Sequence, residues 1–354
     1  MQAVQDHIAN WLVGVSGGEK YHQDLWDYHR GSGGGRTRVW EGNDDSVIEK
    51  AGVNFSMIEG AELPKAALAG PLAGADASAG FKATGVSLVI HPRSPHIPTI
   101  HMNVRYFESG EKWWFGGGID LTPYYPRFEQ VKAFHLGLKS VCDAHQHPYE
   151  EYKKICDGYF TLKHRKEMRG VGGIFFDQLK ADKFTKAQLC EFVIALGMSF
   201  TSLYEPFFLE GNLAMEWTAA QREYQLWRRS RYVEFNLLLD RGTKFGIESE
   251  GRTESILMSL PTIAKWYYDY FPTEGTVEGI VNRFYLQPKD WVNLEISSLP
   301  TPTVLTSDFE KANTSSTSSR SPSPLSKMYY AFGGFLVGVA IASLAAVTVV
   351  KAKK

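Results

Sequence analysis

Between Gly85 and Pro123 the chain reads GVSLVIHPRSPHIPTIHMNVRYFESGEKWWFGGGIDLTP, and this stretch has the pattern of a sheet with one polar face. From His101 to Phe107 the residues alternate, so His101, Asn103, Arg105 and Phe107 share one face while Met102, Val104 and Tyr106 share the other. A half-buried strand normally turns its polar face to water. Strong hydrogen-bond donors beside an amide suit an anion-holding cavity equally well. Trp113-Trp114-Phe115-Gly116-Gly117-Gly118-Ile119-Asp120 then sets aromatic rings against bare backbone and ends on a carboxylate, an arrangement able to cradle a flat, bulky molecule.

A second polar-faced strand is expected over Arg231–Arg241, with Val233, Phe235, Leu237 and Leu239 opposite Tyr232, Glu234, Asn236 and Asp240. A third strand is expected over Ser255–Leu260 after a loop that carries Gly251-Arg252. Ile174-Phe175-Phe176-Asp177 reads as a short strand. Helical spacing marks residues 1–30, a segment from Tyr152 to about His164-Arg165, residues 186–210 and residues 218–229. HRGSGGGRTRVWEG (29–42) reads as a glycine loop leading into a strand, without the Gly-Lys-Ser/Thr of a phosphate loop. Strands joined by turns with no regular βαβ alternation predict an α+β fold with a largely antiparallel sheet flanked by helices.

With 354 residues and 44% hydrophobic content the chain can bury a full core, and a net charge of −1 gives no footprint for nucleic acid. Cys142, Cys156 and Cys190 are an odd number without a CxxC pair, which fits a reducing compartment better than a disulfide framework. The N-terminal MQAVQDHIANWLVG lacks a secretory or Arg-rich targeting pattern. Residues 296–327 are rich in Ser, Thr and Pro and read as a flexible linker. Residues 328–350 are 23 uncharged, mostly apolar residues, long enough at about 1.5 Å per residue to cross a hydrocarbon core as one transmembrane helix. The basic tail 351–354 would anchor its far end, leaving the body in the cytosol, with the mitochondrial surface the favoured membrane.

The segments GVSLVIHPR, PTIHMNVRYFE, WWFGGGIDLTP, KKICDGYFTLKHRKEMRGVGGIFFD and RRSRYVEFNLLLDRGTKFGI, followed by GRTESILMSLP, resemble the oxygen-dependent coproporphyrinogen III oxidase family, in order and over about residues 5–295, which makes 1–295 the catalytic domain. The resemblance implies a homodimer, its interface within 232–267, built on a large, mainly antiparallel sheet with helices on both sides. It further implies oxidative decarboxylation of two propionates of coproporphyrinogen III, with O2 as co-substrate and no cofactor required. By match to the family's motifs, Asp120 would meet the pyrrole N–H groups, His101 would donate a proton and Arg252 would hold a substrate carboxylate. Ser87, Arg93, Asn103, Val104, Arg105, Glu250 and Gly251 would join Arg252 in binding substrate, although bacterial relatives tend to carry Gly where this chain has Glu250. His91, His101, His135 and His164 match four histidines treated as ligands of a divalent metal in bacterial members. Pro92, Pro95 and Pro98 break any simple strand between the first two, which favours structural roles for them.

Other readings stay open at this point. Asp120 could form the turn before Leu-Thr-Pro, Arg105 and Arg252 could be surface ion-pair residues, and the tryptophans could be core. A membrane-tethered tetrapyrrole carrier would use the same aromatic cleft and arginines without catalysis. An adaptor would use the body as a docking module.

Overall fold

The computed structural model describes residues 1–63, 76, 78–209, 212–249 and 251–304. The transmembrane segment 328–350, the tail 351–354, most of the linker and Glu250 therefore lie outside the described residues. A seven-stranded antiparallel sheet dominates: β1 (His22–Asp27), β2 (Gly31–Glu41), β3 (Ile48–Gly60), β4 (Phe81–Pro92), β5 (Thr99–Ser109) and β6 (Lys112–Thr122) follow one another as a meander. The chain then leaves for two helices, α2 (Phe128–Ala144) and α3 (Tyr149–Tyr159), and a short hairpin, β7 (Thr161–Leu162) and β8 (Glu167–Met168). It returns as β9 (Gly172–Leu179), antiparallel to β6.

Register decides which side chains share a face. Val53, Leu88, Met102, Ile119 and Ile174 stand in one cross-sheet row, and Phe55, Val86, Val104, Gly117 and Phe176 in the next row on that side. Every side chain in these rows is buried. The face is covered by α1 (Gln2–Val15), by α4 (Lys186–Tyr204) and, beside β9, by α2. α4 begins in a capping box, Thr185 accepting from the Gln188 amide while Gln188 reaches back, so two of the helix's orphan N–H groups are satisfied. It packs Leu189, Phe192, Leu196 and Phe200 into the main core.

The opposite face is covered by α5 (Ala219–Glu234), which also starts in a capping box (Thr218 and Gln221), and by α6 (Arg241–Glu248) and α7 (Thr253–Leu257). Here the structure departs from three expectations. Arg231–Arg241 is not a strand: α5 runs on without a breaker through a π-helical turn, Phe235–Leu239, and stops at Asp240, whose carboxylate caps α6 by accepting from the Thr243 amide. Ser255–Leu260 is not a strand either, because Thr253–Leu257 is a helical turn that lays Met258 onto Gly52 of the sheet. The Gly31–Gly35 run lies inside β2, where Gly35 leaves room for the Trp26 ring and Gly33 takes a φ of 83° that other residues resist.

Two helix bounds also move. The N-terminal helix ends at Val15, where Gly17 and Gly18 adopt positive φ and β1 follows. α3 ends at Tyr159, so Leu162 joins the β7–β8 hairpin and His164 sits in its turn. Cys142, Cys156 and Cys190 are all free thiols. Past the helical body, residues 296–304 fold back, and the Thr303 and Val304 amides donate to the Gly275 carbonyl.

A buried charge cluster ties α5 to the sheet. Glu49 on β3 accepts from Arg222 (2.7 Å) and Thr262 (2.7 Å) and pairs with Arg229 (2.9 Å). Burial alone would raise its carboxyl, but Arg229 and Arg222 outweigh that and hold it at about 2. A depressed carboxyl contributes stability that is complete above its unfolded value, near 4.5, and is lost as pH falls toward 2. Glu49→Gln strands the fully buried Arg229, so unfolding at neutral pH becomes easier by about 3–5 kcal/mol. Urea titration at pH 7 and at pH 3 checks this: the wild type and Glu49→Gln differ most at pH 7.

Candidate active site

The helix-covered face of β3–β6 is a floor of small and polar side chains. Its rows, read across the four strands, are Gly52–Val89–His101–Asp120, Asn54–Ser87–Asn103–Gly118 and Ser56–Gly85–Arg105–Gly116, closed by Ile58–Ala83–Phe107–Trp114. Strands ~4.8 Å apart and rows ~6.8 Å apart make this floor, here called the plate, about 14 by 20 Å, and its Gly52–Asn54 edge lies under Met258 and Ser255. The Cβ that Gly116 lacks would lie 2.8 Å from the Arg105 Nε, so the guanidinium rests flat on the strand.

At one end of the plate His101 and Asp120 face each other across β5 and β6, and His101 Nδ1 lies 2.8 Å from Asp120 Oδ1. Arg169 grips the same carboxylate with two bonds, Nη2 to Oδ1 at 2.8 Å and Nε to Oδ2 at 3.0 Å. Its Nη1 donates to Asn236 Oδ1 at 2.9 Å, and its guanidinium lies over the rings of Phe160 (4.1 Å), Tyr232 (4.7 Å) and Phe235 (4.8 Å). Asp120 is 1% exposed. Burial would raise its carboxyl, yet the Arg169 charge and the His101 hydrogen bond hold it below the usual carboxylate range. Asp120 is therefore an anion inside the protein, and with Nδ1–H donated to it His101 keeps Nε2 for a ligand. The His101 side chain is 19% exposed, so of this pair the imidazole is the part open to the plate.

The other candidates divide clearly. Ser87, Asn103 and Arg105 are partly exposed on the plate, and Arg105 Nη1 donates to Asn103 Oδ1 at 2.6 Å. Val104, by contrast, is wholly buried on the opposite face, so its side chain cannot touch a ligand on the plate. Arg93 sits beyond the plate, bonded to the Gly42, Asn43 and Ser46 carbonyls and to Asp44, where it holds the β2–β3 turn. At the far end a cavity of about 300 Å³ is walled by Trp26, Tyr28, Phe81, Phe107 and Phe245. Gly251 and Arg252 line it too, with Arg252 ion-paired to Asp24.

The four histidines do not converge. His91 donates Nε2–H to the Ser259 carbonyl (2.9 Å) and accepts at Nδ1 from Thr99 (3.1 Å), and burial pushes it down to about 3, so it is neutral. His135, inside α2, donates to the Val171 carbonyl and accepts from Tyr149. His164 pairs with Glu234. Among the described residues no three His, Cys, Asp or Glu side chains are grouped to hold a metal ion.

Sequence reasoning did not single out Arg169, Tyr232 or Asn236. Arg169 stood in plain view in RKEMRGVGG. Tyr232 and Asn236 were placed on one polar face, correctly, because positions four apart share a face of a helix as well as of a strand.

Comparisons with known proteins agree over this whole body. The profile of the coproporphyrinogen III oxidase family matches residues 1–291. A relative from Dictyostelium discoideum, described as an oxygen-dependent coproporphyrinogen-III oxidase, is 54% identical over 314 aligned residues, covering 82% of this chain and 92% of the relative.

Proposed function

The chain belongs to the coproporphyrinogen III oxidase family, and from that membership we infer that it is an oxidoreductase of haem biosynthesis, converting two propionates of coproporphyrinogen III to vinyl groups with O2. The observation that carries the reading is the family match across every strand and helix that builds the plate. Each turn is balanced as a propionate side chain, O2 and one proton giving a vinyl group, CO2 and hydrogen peroxide. The electrons come from the substrate, and enzymes of this family need no cofactor or metal.

In this reading the macrocycle lies on the small-residue plate. Asn103, Arg105 and Ser87 meet its polar groups, and Arg252 meets a carboxylate at the rim. Asp120, kept ionised by Arg169, accepts from His101 and orients it, so His101 Nε2 serves proton transfer at the reacting pyrrole. A carrier would need the plate and the arginines but not a buried Arg169–Asp120–His101 array. Incubating the full chain with coproporphyrinogen III in air and under nitrogen tests the function: the vinyl product forms in air only, and formation under nitrogen would contradict it.

Arg252→Ala removes a charge-assisted bond worth about 1.5–3 kcal/mol, so KM rises roughly 10- to 100-fold with a smaller fall in kcat. Steady-state kinetics with substrate varied at fixed O2 read this directly. Glu250 is proposed as a neighbouring backbone contact.

We also propose a homodimer. Leu237, Leu238, Ile263, Trp266 and Tyr267 are exposed large apolar side chains within 232–267, and they support an interface there. Residues 328–350 are proposed as a membrane anchor, with the catalytic domain facing the cytosol. Gly334, Gly338, Ala342 and Ala346 would present a small-residue stripe to a second helix. Deleting 328–354 moves the protein from the carbonate-resistant membrane fraction to the supernatant and leaves kcat unchanged. An unaltered distribution would refute the anchor.

A further inference from the structure

Beside the plate, β9 carries a defect in the right place. Between the pairs Phe115–Leu179 and Gly117–Phe176 the register slips, so Gly116 is opposed by two residues, Asp177 and Gln178. Gln178 takes a φ of 53°, a left-handed conformation that a residue with a side chain resists. The bulge aims Asp177 at the arginine lying on Gly116: Asp177 Oδ1 accepts from Arg105 Nη2 at 2.8 Å and also from the Gln178 amide at 3.1 Å. Its other oxygen lies 3.8 Å from Arg241 Nη2, at the start of α6. Both carboxylate and guanidinium are one-third exposed, so a ligand on the plate can reach them.

We propose that Asp177 is a stand-in carboxylate that competes with a substrate propionate for Arg105 and Arg241. It sets the affinity for the macrocycle and helps to free the product. Arg105 gives one N–H of each terminal nitrogen to a neighbour, one to Asn103 and one to Asp177, so an incoming carboxylate meets a guanidinium whose charge Asp177 already balances, and it competes with Asp177 for that charge. The alternative, that Asp177 merely orients Arg105 for the substrate, predicts the opposite sign. The inference rests on the proposed function, because it takes the competing anion to be a propionate of coproporphyrinogen III.

The test is the dissociation constant for coproporphyrinogen III under nitrogen, where binding proceeds without turnover. Asp177→Asn keeps the shape and an acceptor oxygen but removes the charge, and it binds substrate about fivefold tighter, as expected for the loss of a partly exposed ion pair. KM falls with it, and kcat stays level or drops as product leaves more slowly. Malonate, a small dicarboxylate, inhibits Asp177→Asn competitively with a Ki lowered by the same factor. Asp177→Ser gives the same two shifts, which guards against a folding defect peculiar to one substitution. Weaker or unchanged binding in both variants overturns the stand-in role while wild-type turnover in air continues. Failure of the wild type to bind the tetrapyrrole or to release CO2 in air would instead overturn the proposed function.

Discussion

Asp120→Asn lowers kcat by at least about 10²-fold, because the charge that orients His101 and stabilises positive charge developing on it is deleted while the shape of the site is kept. The structure refines why. Asp120 is buried. It is bonded to His101 and clasped by Arg169, and in the proposed mechanism it acts on the reacting pyrrole through the imidazole. The anaerobic dissociation constant should therefore change little, and the loss should sit in kcat. Normal turnover by Asp120→Asn with substrate saturating would move the proton chemistry elsewhere on the plate.

Arg169→Met gives the second large effect, and it reaches both stability and pH dependence. The wild-type pair is almost wholly buried, so removing the guanidinium from among the Phe160, Tyr232 and Phe235 rings leaves the buried Asp120 carboxylate to His101. Breaking such a pair costs about 3–5 kcal/mol, which denaturant unfolding at pH 7 reads directly. The sign of the pH effect follows from the same forces. In the wild type burial would lift the Asp120 carboxyl, but Arg169 and His101 keep it depressed, so it stays ionised well into acid. Without Arg169 burial is opposed by His101 alone and the carboxyl rises. The acid limb of kcat accordingly shifts to higher pH in Arg169→Met. An unshifted limb, with stability lost, would show that Arg169 supports the fold but does not set the charge of Asp120.

The sheet was legible where local pattern and tertiary role agree. The alternation from His101 to Phe107 places each residue on the face it occupies, and the cross-strand pair His101–Asp120 follows once β5 and β6 are joined by a tight turn. Capping boxes at Thr185 and Thr218 are present in the sequence as Thr-x-x-Gln and mark real helix starts. The failures share one cause. In Val233, Phe235, Leu237 and Leu239 the β-branched and aromatic residues alternate as in a strand. Yet the segment continues a helix already nucleated fifteen residues earlier, and Leu237 and Leu238 end exposed because its π turn shifts the face. Period two and period four coincide at Tyr232, Asn236 and Asp240, so the polar face was right although the element was wrong. Arg169 could not be singled out by pattern, since its partner Asp120 is 49 positions away and only the β6–β9 pairing brings β8 alongside. The bulge at Asp177 and Gln178 leaves no composition signal at all.

The central claim is that this plate lets O2 oxidise a tetrapyrrole whose own electrons drive the reaction, with the protein's side chains supplying position, charge and protons. The most direct measurement is the stoichiometry of the purified full chain after dialysis against a chelator, with O2 uptake, CO2, hydrogen peroxide and vinyl product followed together. The account predicts that turnover survives dialysis and that each coproporphyrinogen III consumes two O2 and yields two CO2 and two hydrogen peroxide. Turnover that disappears on dialysis and returns only with an added metal or redox cofactor, or vinyl product formed without peroxide, would contradict it.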